Sequence, residues 1–289
     1  MTTMSIRGVS LFVEVIGTGP PLLLMHGGPG ADHWTMLPFR RLSDQFTLVF
    51  YDHRCNGRSI GPPVTSMTWD NLTADADAIR ERLGFERWAV LGHSFGGHVA
   101  LEYALRYPDR MSELVLLDTG ADAGWARENA PKVALERGHG EKTAALVRRW
   151  FHGEIEPGEM RRILIRLGPL YDPHISLLGV ARMVFRERRS ILRPESFIHA
   201  GQTLLKDWTV VDRLGEITVP TLVMAGREDF VFPPECQREL ATGIPGATLT
   251  LVDDAGHNPH DEAPDQVIAA VRAFLRAEVR DPVMPGVVS

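Results

Sequence analysis

The sequence predicts an α/β protein: a mostly parallel, doubly wound sheet with a helical insertion. Three observations predict it. Short, continuous apolar runs recur through the first half of the chain, amphipathic stretches separate them, and between residues 122 and 212 the strand-like runs stop, to return at Pro220. Runs that are apolar at consecutive positions suit strands covered on both faces, the condition of a parallel sheet. Their alternation with helices implies right-handed crossovers.

In chain order, Leu11–Ile16 reads as a strand ended by Gly17-Thr18-Gly19-Pro20. Leu22–Met25 is a buried strand stopped by the glycine-rich His26-Gly27-Gly28-Pro29-Gly30, and Thr47–Tyr51 is a third. Residues 70–83 read as a helix, with Asp70 as N-cap, Gly84 at its end, and Leu72, Ala76, Ile79 and Leu83 forming one stripe. Trp88–Leu91 and Leu114–Leu117 are further buried strands, separated by a helix over 96–107 that Pro108 stops. The Arg- and Glu-rich block that follows reads as helices, for example Glu141–Phe151 and Glu159–Leu167. We read it as a cap over one end of the sheet, giving core segments at 1–121 and 213–289 and a cap at 122–212. Pro220–Ala225 and Ala247–Val252 restore the strands, Ala263–Glu278 is a final amphipathic helix, and the tail from Asp281 is expected to fray.

The composition bounds the function. With 289 residues the chain can bury a sizeable core, and its 44% hydrophobic and 24% charged residues are ordinary for a globular protein. A net charge of −6 without long runs of one sign argues against nucleic acid or an anionic membrane as partner and is neutral about small molecules. No signal peptide or spanning segment is visible. Cys55 and Cys236 stand alone, without spacing for a disulfide scaffold or a zinc site. The expectation is a cytoplasmic protein acting on a small molecule without metal or cofactor; its oligomeric state is left open.

The strongest local signal is Gly92-His93-Ser94-Phe95-Gly96-Gly97. A G-x-S-x-G match alone is weak, but here the serine follows a buried strand and opens a helix. That setting forces the serine into a sharp turn at the carboxyl end of the sheet, where such sheets bind ligands. A serine hydroxyl needs a base to take its proton. His257, in Asp253-Asp254-Ala255-Gly256-His257-Asn258-Pro259 after the last strand, is the candidate. An imidazole in turn needs a carboxylate to set its tautomer. Asp229, on the loop after strand 221–225, fits that part, and Asp118 is the alternative acid. His260 and His93 are rival bases that read better as neighbours, and Glu228 should point away from the site. Two backbone N–H groups would hold an oxyanion, those of Phe95 and Gly28. Gly27 and Trp34 are expected at the substrate, with Trp125, Trp150 and Trp208 as further apolar walls.

With these residues in place the chain resembles the α/β-hydrolase superfamily, over nearly all its length outside the cap. The order Ser94, Asp229, His257 is the order of that fold. His26-Gly27-Gly28-Pro29-Gly30 looks like the loop of proline iminopeptidase-type serine peptidases and also occurs in related esterases and C–C bond hydrolases. Asp52-His53-Arg54-Cys55-Asn56-Gly57-Arg58-Ser59 resembles the family's D-x-R-G-x-G-x-S loop, with Cys55 in place of a glycine, and its Asp and Arg read as structural. Two features depart from the iminopeptidases. The elbow is Gly-His-Ser-Phe-Gly rather than Gly-Gly-Ser-Trp-Gly, and an α-amino-binding group has only Glu154, Glu156 and Glu159 as candidates by charge. The resemblance implies cleavage of a small ester or N-terminal amide by two-step acyl transfer. The alternatives are a carboxylesterase or lactonase, a C–C bond hydrolase, and a binding module with little turnover.

Overall fold

The computed structural model describes residues 2–280 except 177–178, 182–183 and 186–188, so the expected fraying from Asp281 lies outside the described residues. Eight strands form one sheet in the order β1-β2-β4-β3-β5-β6-β7-β8. They are β1 (Thr2–Ile6), β2 (Val9–Ile16), β3 (Pro21–Met25), β4 (Thr47–Tyr51), β5 (Trp88–His93), β6 (Met111–Leu117), β7 (Thr221–Gly226) and β8 (Thr248–Val252). β2 pairs antiparallel with β1 and with β4, and all remaining neighbours pair parallel. The doubly wound α/β-hydrolase fold is therefore present, with an antiparallel edge.

That edge adds β1 to the elements read from sequence. Thr2-Thr3-Met4-Ser5-Ile6 lacks an apolar run because an edge strand buries little; only Ile6 is fully covered. It folds back through Arg7-Gly8, whose positive φ angles of 48° and 78° suit a two-residue hairpin. The helix after β4 also starts differently. α1 (Trp69–Arg82) is capped by Thr68, whose hydroxyl accepts from the Asn71 N–H, and Asp70 sits in the first turn near the positive helix end.

Alternate residues of each strand serve opposite faces. Leu23, Val49, Val90 and Leu114 pack with Leu72 and Ile79 of α1 and Val99 of α2 (Phe95–Arg106). Leu22, Leu24, Leu91 and Val115 face Phe39 and Leu42 of a 3-10 segment and Val267 and Val271 of the helix Pro264–Arg280. Among the described residues no helix is long and apolar enough to cross a membrane.

Between β6 and β7 lie α3 (Gly124–Glu128), α4 (Ala130–Glu136), α5 (Glu141–Phe151), α6 (Met160–Tyr171) and the helix Pro194–His199. The two ends of this segment meet: the Val210 N–H donates to the Ala121 carbonyl at 2.8 Å and the Ala123 N–H to that of Trp208 at 3.1 Å. Its apolar cluster, with Val147, Trp150, Ile163 and Leu167, also takes in Phe230, Val231 and Phe232 from the loop after β7. The helical segment and the sheet's carboxyl end thus share one core.

Candidate active site

β5 delivers Ser94 to the carboxyl edge of the sheet, where φ is 52° and ψ −119°. A non-glycine residue there is strained, and it is held by its surroundings. The Ser94 N–H donates to Leu117 O at 3.0 Å, and the Thr119 hydroxyl donates to Ser94 O at 2.8 Å. The neighbours must be glycine for lack of room: a Cβ on Gly96 would fall onto the Met25 carbonyl, and one on Gly92 onto Gly96 itself. Phe95 opens α2, so its N–H is one of the helix's first donors, without an acceptor one turn back.

The Ser94 hydroxyl lies 3.0 Å from His257 Nε2, and His257 Nδ1 lies 2.9 Å from Asp229 Oδ2. Asp229 is itself oriented, its other oxygen accepting from the Val231 N–H at 2.8 Å. The loop bearing His257 is braced on four sides. Its own N–H donates to the Tyr171 carbonyl of α6 at 2.9 Å, and His93 Nε2 donates to its carbonyl at 3.0 Å. The Gly256 and Asn258 N–H groups, on either side, donate to Glu262 at 2.8 and 2.9 Å. Burial pushes the Glu262 carboxyl up to about 7.

The rival residues are held by other partners. Asp118 is fully buried and accepts from the Gly226 N–H at 2.9 Å. Burial, reinforced by the nearby Asp229 charge, pushes its carboxyl well above the usual range and favours its neutral form. Glu228 accepts from His174 Nε2 at 2.7 Å on the surface, and His260 donates to the Thr35 carbonyl at 2.9 Å. Donor atoms of Asp118, Asp229 and His257 lie within 4.8 Å of one another, as do those of His174, Glu228 and Asp254. In the first set the facing atoms of Asp229 and His257 already bond each other, and the second is a surface group. Neither set contains a cysteine.

Gly28 follows β3 with φ 60° and lines the same cavity as Ser94, Phe95, Gly27 and His257. Gly27 packs against His93, whose Nδ1 would stand 2.6 Å from an added Cβ. The loop is clamped from below by the second motif. Asp52 accepts from the N–H and ring of His33 at 2.8 and 2.7 Å and from the Arg58 N–H at 2.7 Å, while the Asn56 side chain accepts from the Gly30 N–H. Arg54 holds Asp75 in a fork at 2.8 and 2.7 Å. Cys55 takes φ 64°, so the chain follows a left-handed path there without a glycine.

The cavity has a volume of about 190 Å³ and is mainly apolar. Trp150 lines it, whereas Trp34, Trp125 and Trp208 do not; at the expected Trp34 position the wall is Thr35. Trp34 is the second residue of the 3-10 segment His33–Leu42, which turns successive side chains away from one another. None of Glu154, Glu156 and Glu159 reaches the cavity, and Glu159 is taken by Arg149 and Arg162 at 3.0 and 3.1 Å. Residues that sequence reasoning did not single out also line it: Tyr171, His98 and Arg127. His98 lies inside the apolar pattern of α2 and Arg127 in a charged helix, so nothing in the local pattern distinguished either.

The model of the α/β-hydrolase fold family matches residues 20–264. A relative in Caulobacter sp. (strain K31), provisionally named a carbamate hydrolase, is 29% identical over 271 residues, covering 88% of this chain and 95% of its own. A proline iminopeptidase of Pestalotiopsis fici is 28% identical over 281 residues, covering 94% and 98%. The structure of a thermophilic esterase from Thermogutta terrifontis superimposes with a TM-score of 0.74 at 31% identity, over 96% of this chain and 97% of that one.

Proposed function

This chain belongs to the α/β-hydrolase fold family, and we propose that it is a serine hydrolase of small esters or N-terminal amides. One observation carries the reading: the unbroken path from the Ser94 hydroxyl through His257 to Asp229, with contacts of 3.0 and 2.9 Å, opening into an apolar cavity.

The reaction runs in two steps. His257 Nε2 takes the Ser94 proton as Oγ bonds to the substrate carbonyl carbon, and Asp229 keeps the Nδ1 proton in place and stabilises the imidazolium. The N–H groups of Phe95 and Gly28 stabilise the oxyanion, each worth about 3 kcal/mol in such sites. His257 then gives its proton to the leaving oxygen or nitrogen as the carbon–heteroatom bond breaks. Water attacks the acyl-enzyme, losing its proton to His257, and collapse returns that proton to Oγ. The helical segment, assigned to 122–212, serves as the substrate-binding cap.

The test is labelling with a fluorophosphonate probe. The native chain is expected to label and Ser94→Ala not to. Equal labelling of the two, or none in the native chain, would reject the assignment.

A further inference from the structure

The lining of the cavity is lopsided in charge. Among the described residues its lining holds no aspartate or glutamate and one permanent cation, Arg127. Arg127 belongs to the cap wall, on α3, while Ser94 is on the sheet side. One guanidinium nitrogen donates to the Gly201 carbonyl at 2.7 Å, and among the described residues no carboxylate pairs with it. A guanidinium has five donors, so most of its capacity is unspent.

A second observation points the same way. His98 is one helical turn beyond Ser94, its N–H reaching back to Ser94 O at 3.3 Å, and it is among the residues that line the same cavity. The residue is only 3% exposed, packed against Trp208 and Phe232 with ring centres 4.5 and 5.4 Å away. Among the described residues neither ring nitrogen has a hydrogen-bond partner. Burial lowers its pKa to about 3, so the ring is neutral and offers one N–H and one acceptor. Trp208, whose ring packs on His98, accepts at its main-chain oxygen from the N–H of Ala123, four residues before Arg127, at 3.1 Å, and His98 and Arg127 line the one cavity. An uncharged donor and a cation, both buried or half-buried in apolar surroundings, suit an anionic oxygen.

We propose that the acyl group this site accepts carries a carboxylate, held by Arg127 from the cap with the His98 N–H as a second donor. The inference rests on the serine-hydrolase reading and narrows it to half-esters or lactones of dicarboxylic acids. Substrates with a free α-ammonium are disfavoured, because among the described residues the cavity offers them a cation and no carboxylate.

The experiment compares two esters of equal length, p-nitrophenyl valerate and mono-p-nitrophenyl glutarate, on the full-length protein, with proline p-nitroanilide alongside. The native protein is expected to show kcat/KM at least tenfold higher for the glutarate ester than for the valerate, and the lowest value for the proline anilide. In Arg127→Met the ratio of the two esters should fall to about one, mainly through KM for the glutarate. Arg127→Lys should restore part of it. His98→Phe, which keeps the ring, should lower the ratio by a smaller factor, and an unchanged ratio there removes His98 from the assignment. A native ratio at or below one, or a preference for the proline anilide, overturns the proposal while leaving Ser94 as nucleophile. Failure of the serine reading shows separately, as loss of fluorophosphonate labelling and no hydrolysis of either ester. Should Arg127→Met not fold, the native substrate ranking and Arg127→Lys still decide.

Discussion

Two buried carboxylates, Asp118 and Asp229, lie beside the His257 imidazole, and their surroundings set them apart. Asp229 bonds His257 Nδ1, whereas Asp118 bonds the Gly226 N–H and is shifted toward its neutral form by burial and by the Asp229 charge. A neutral acid and an amide are close in shape and polarity. Asp118→Asn is therefore expected to change kcat by less than about threefold, while Asp229→Asn, which presents the wrong partner to Nδ1, should lower it by about 10⁴-fold. Steady-state rates on one p-nitrophenyl ester check both; the reverse ranking would transfer the acid role to Asp118. The residues picked from sequence for nucleophile, base and acid are the ones that stand in hydrogen-bonding reach. Their proximity is legible in the local pattern because each sits at a strand's end, where the turn is short and its outlet fixed by the sheet. Arg127 and His98 escaped notice because their place depends on how the cap helices dock, which no local periodicity encodes. Trp34 was misplaced for a related reason: a 3-10 segment, not an open loop, turns it out of the lining and Thr35 in.

Among the elements, the turn from β5 into α2 leaves almost no room for change. Gly96→Ala would drive a Cβ into the Met25 carbonyl of the neighbouring strand, so either β3 or the elbow must shift. We expect loss of fluorophosphonate labelling together with a destabilisation of several kcal/mol, in the range of steric overpacking and backbone strain combined, measured by urea unfolding. The His257 loop depends on Glu262 in a different way. Its carboxyl is raised from 4.5 to about 7, so the folded state holds a proton that the unfolded state has released. Its contribution to stability is therefore full below pH 4.5 and is lost as pH rises through about 7. Glu262→Gln should flatten this part of the profile, seen as a smaller drop in urea midpoint between pH 5 and pH 7.5 than in the native chain. A steeper drop would contradict the assignment. The sheet's buried strands and the main helices were readable because continuous apolar runs and i, i+3, i+4 stripes are strong signals. The edge strand β1 was not, since an exposed edge needs no apolar run.

At the scale of the whole molecule, the cap and the sheet domain are not separable bodies. Phe230, adjacent to Asp229 and fully buried, belongs to the cap's apolar cluster, in contact with the rings of Phe151 and Tyr171. Phe230→Ala should cost about 3–5 kcal/mol, the range for emptying a buried phenylalanine site. It should also lower kcat by disturbing Asp229, and unfolding curves with initial rates test the two effects together. Unfolding of cap and core in two separate transitions would count against a shared core. The same interdependence governs how such a protein can diversify. The main-chain oxygen of Tyr171 accepts the His257 N–H, so one terminus of a cap helix is part of the scaffold that aligns the base. A cap exchanged for another, by recombination or in the laboratory, would bring a new binding surface and withdraw that support at once. New specificities are therefore more readily reached by replacing inward-facing side chains one at a time than by exchanging the whole module, unless the incoming module sets a carbonyl at the same spot.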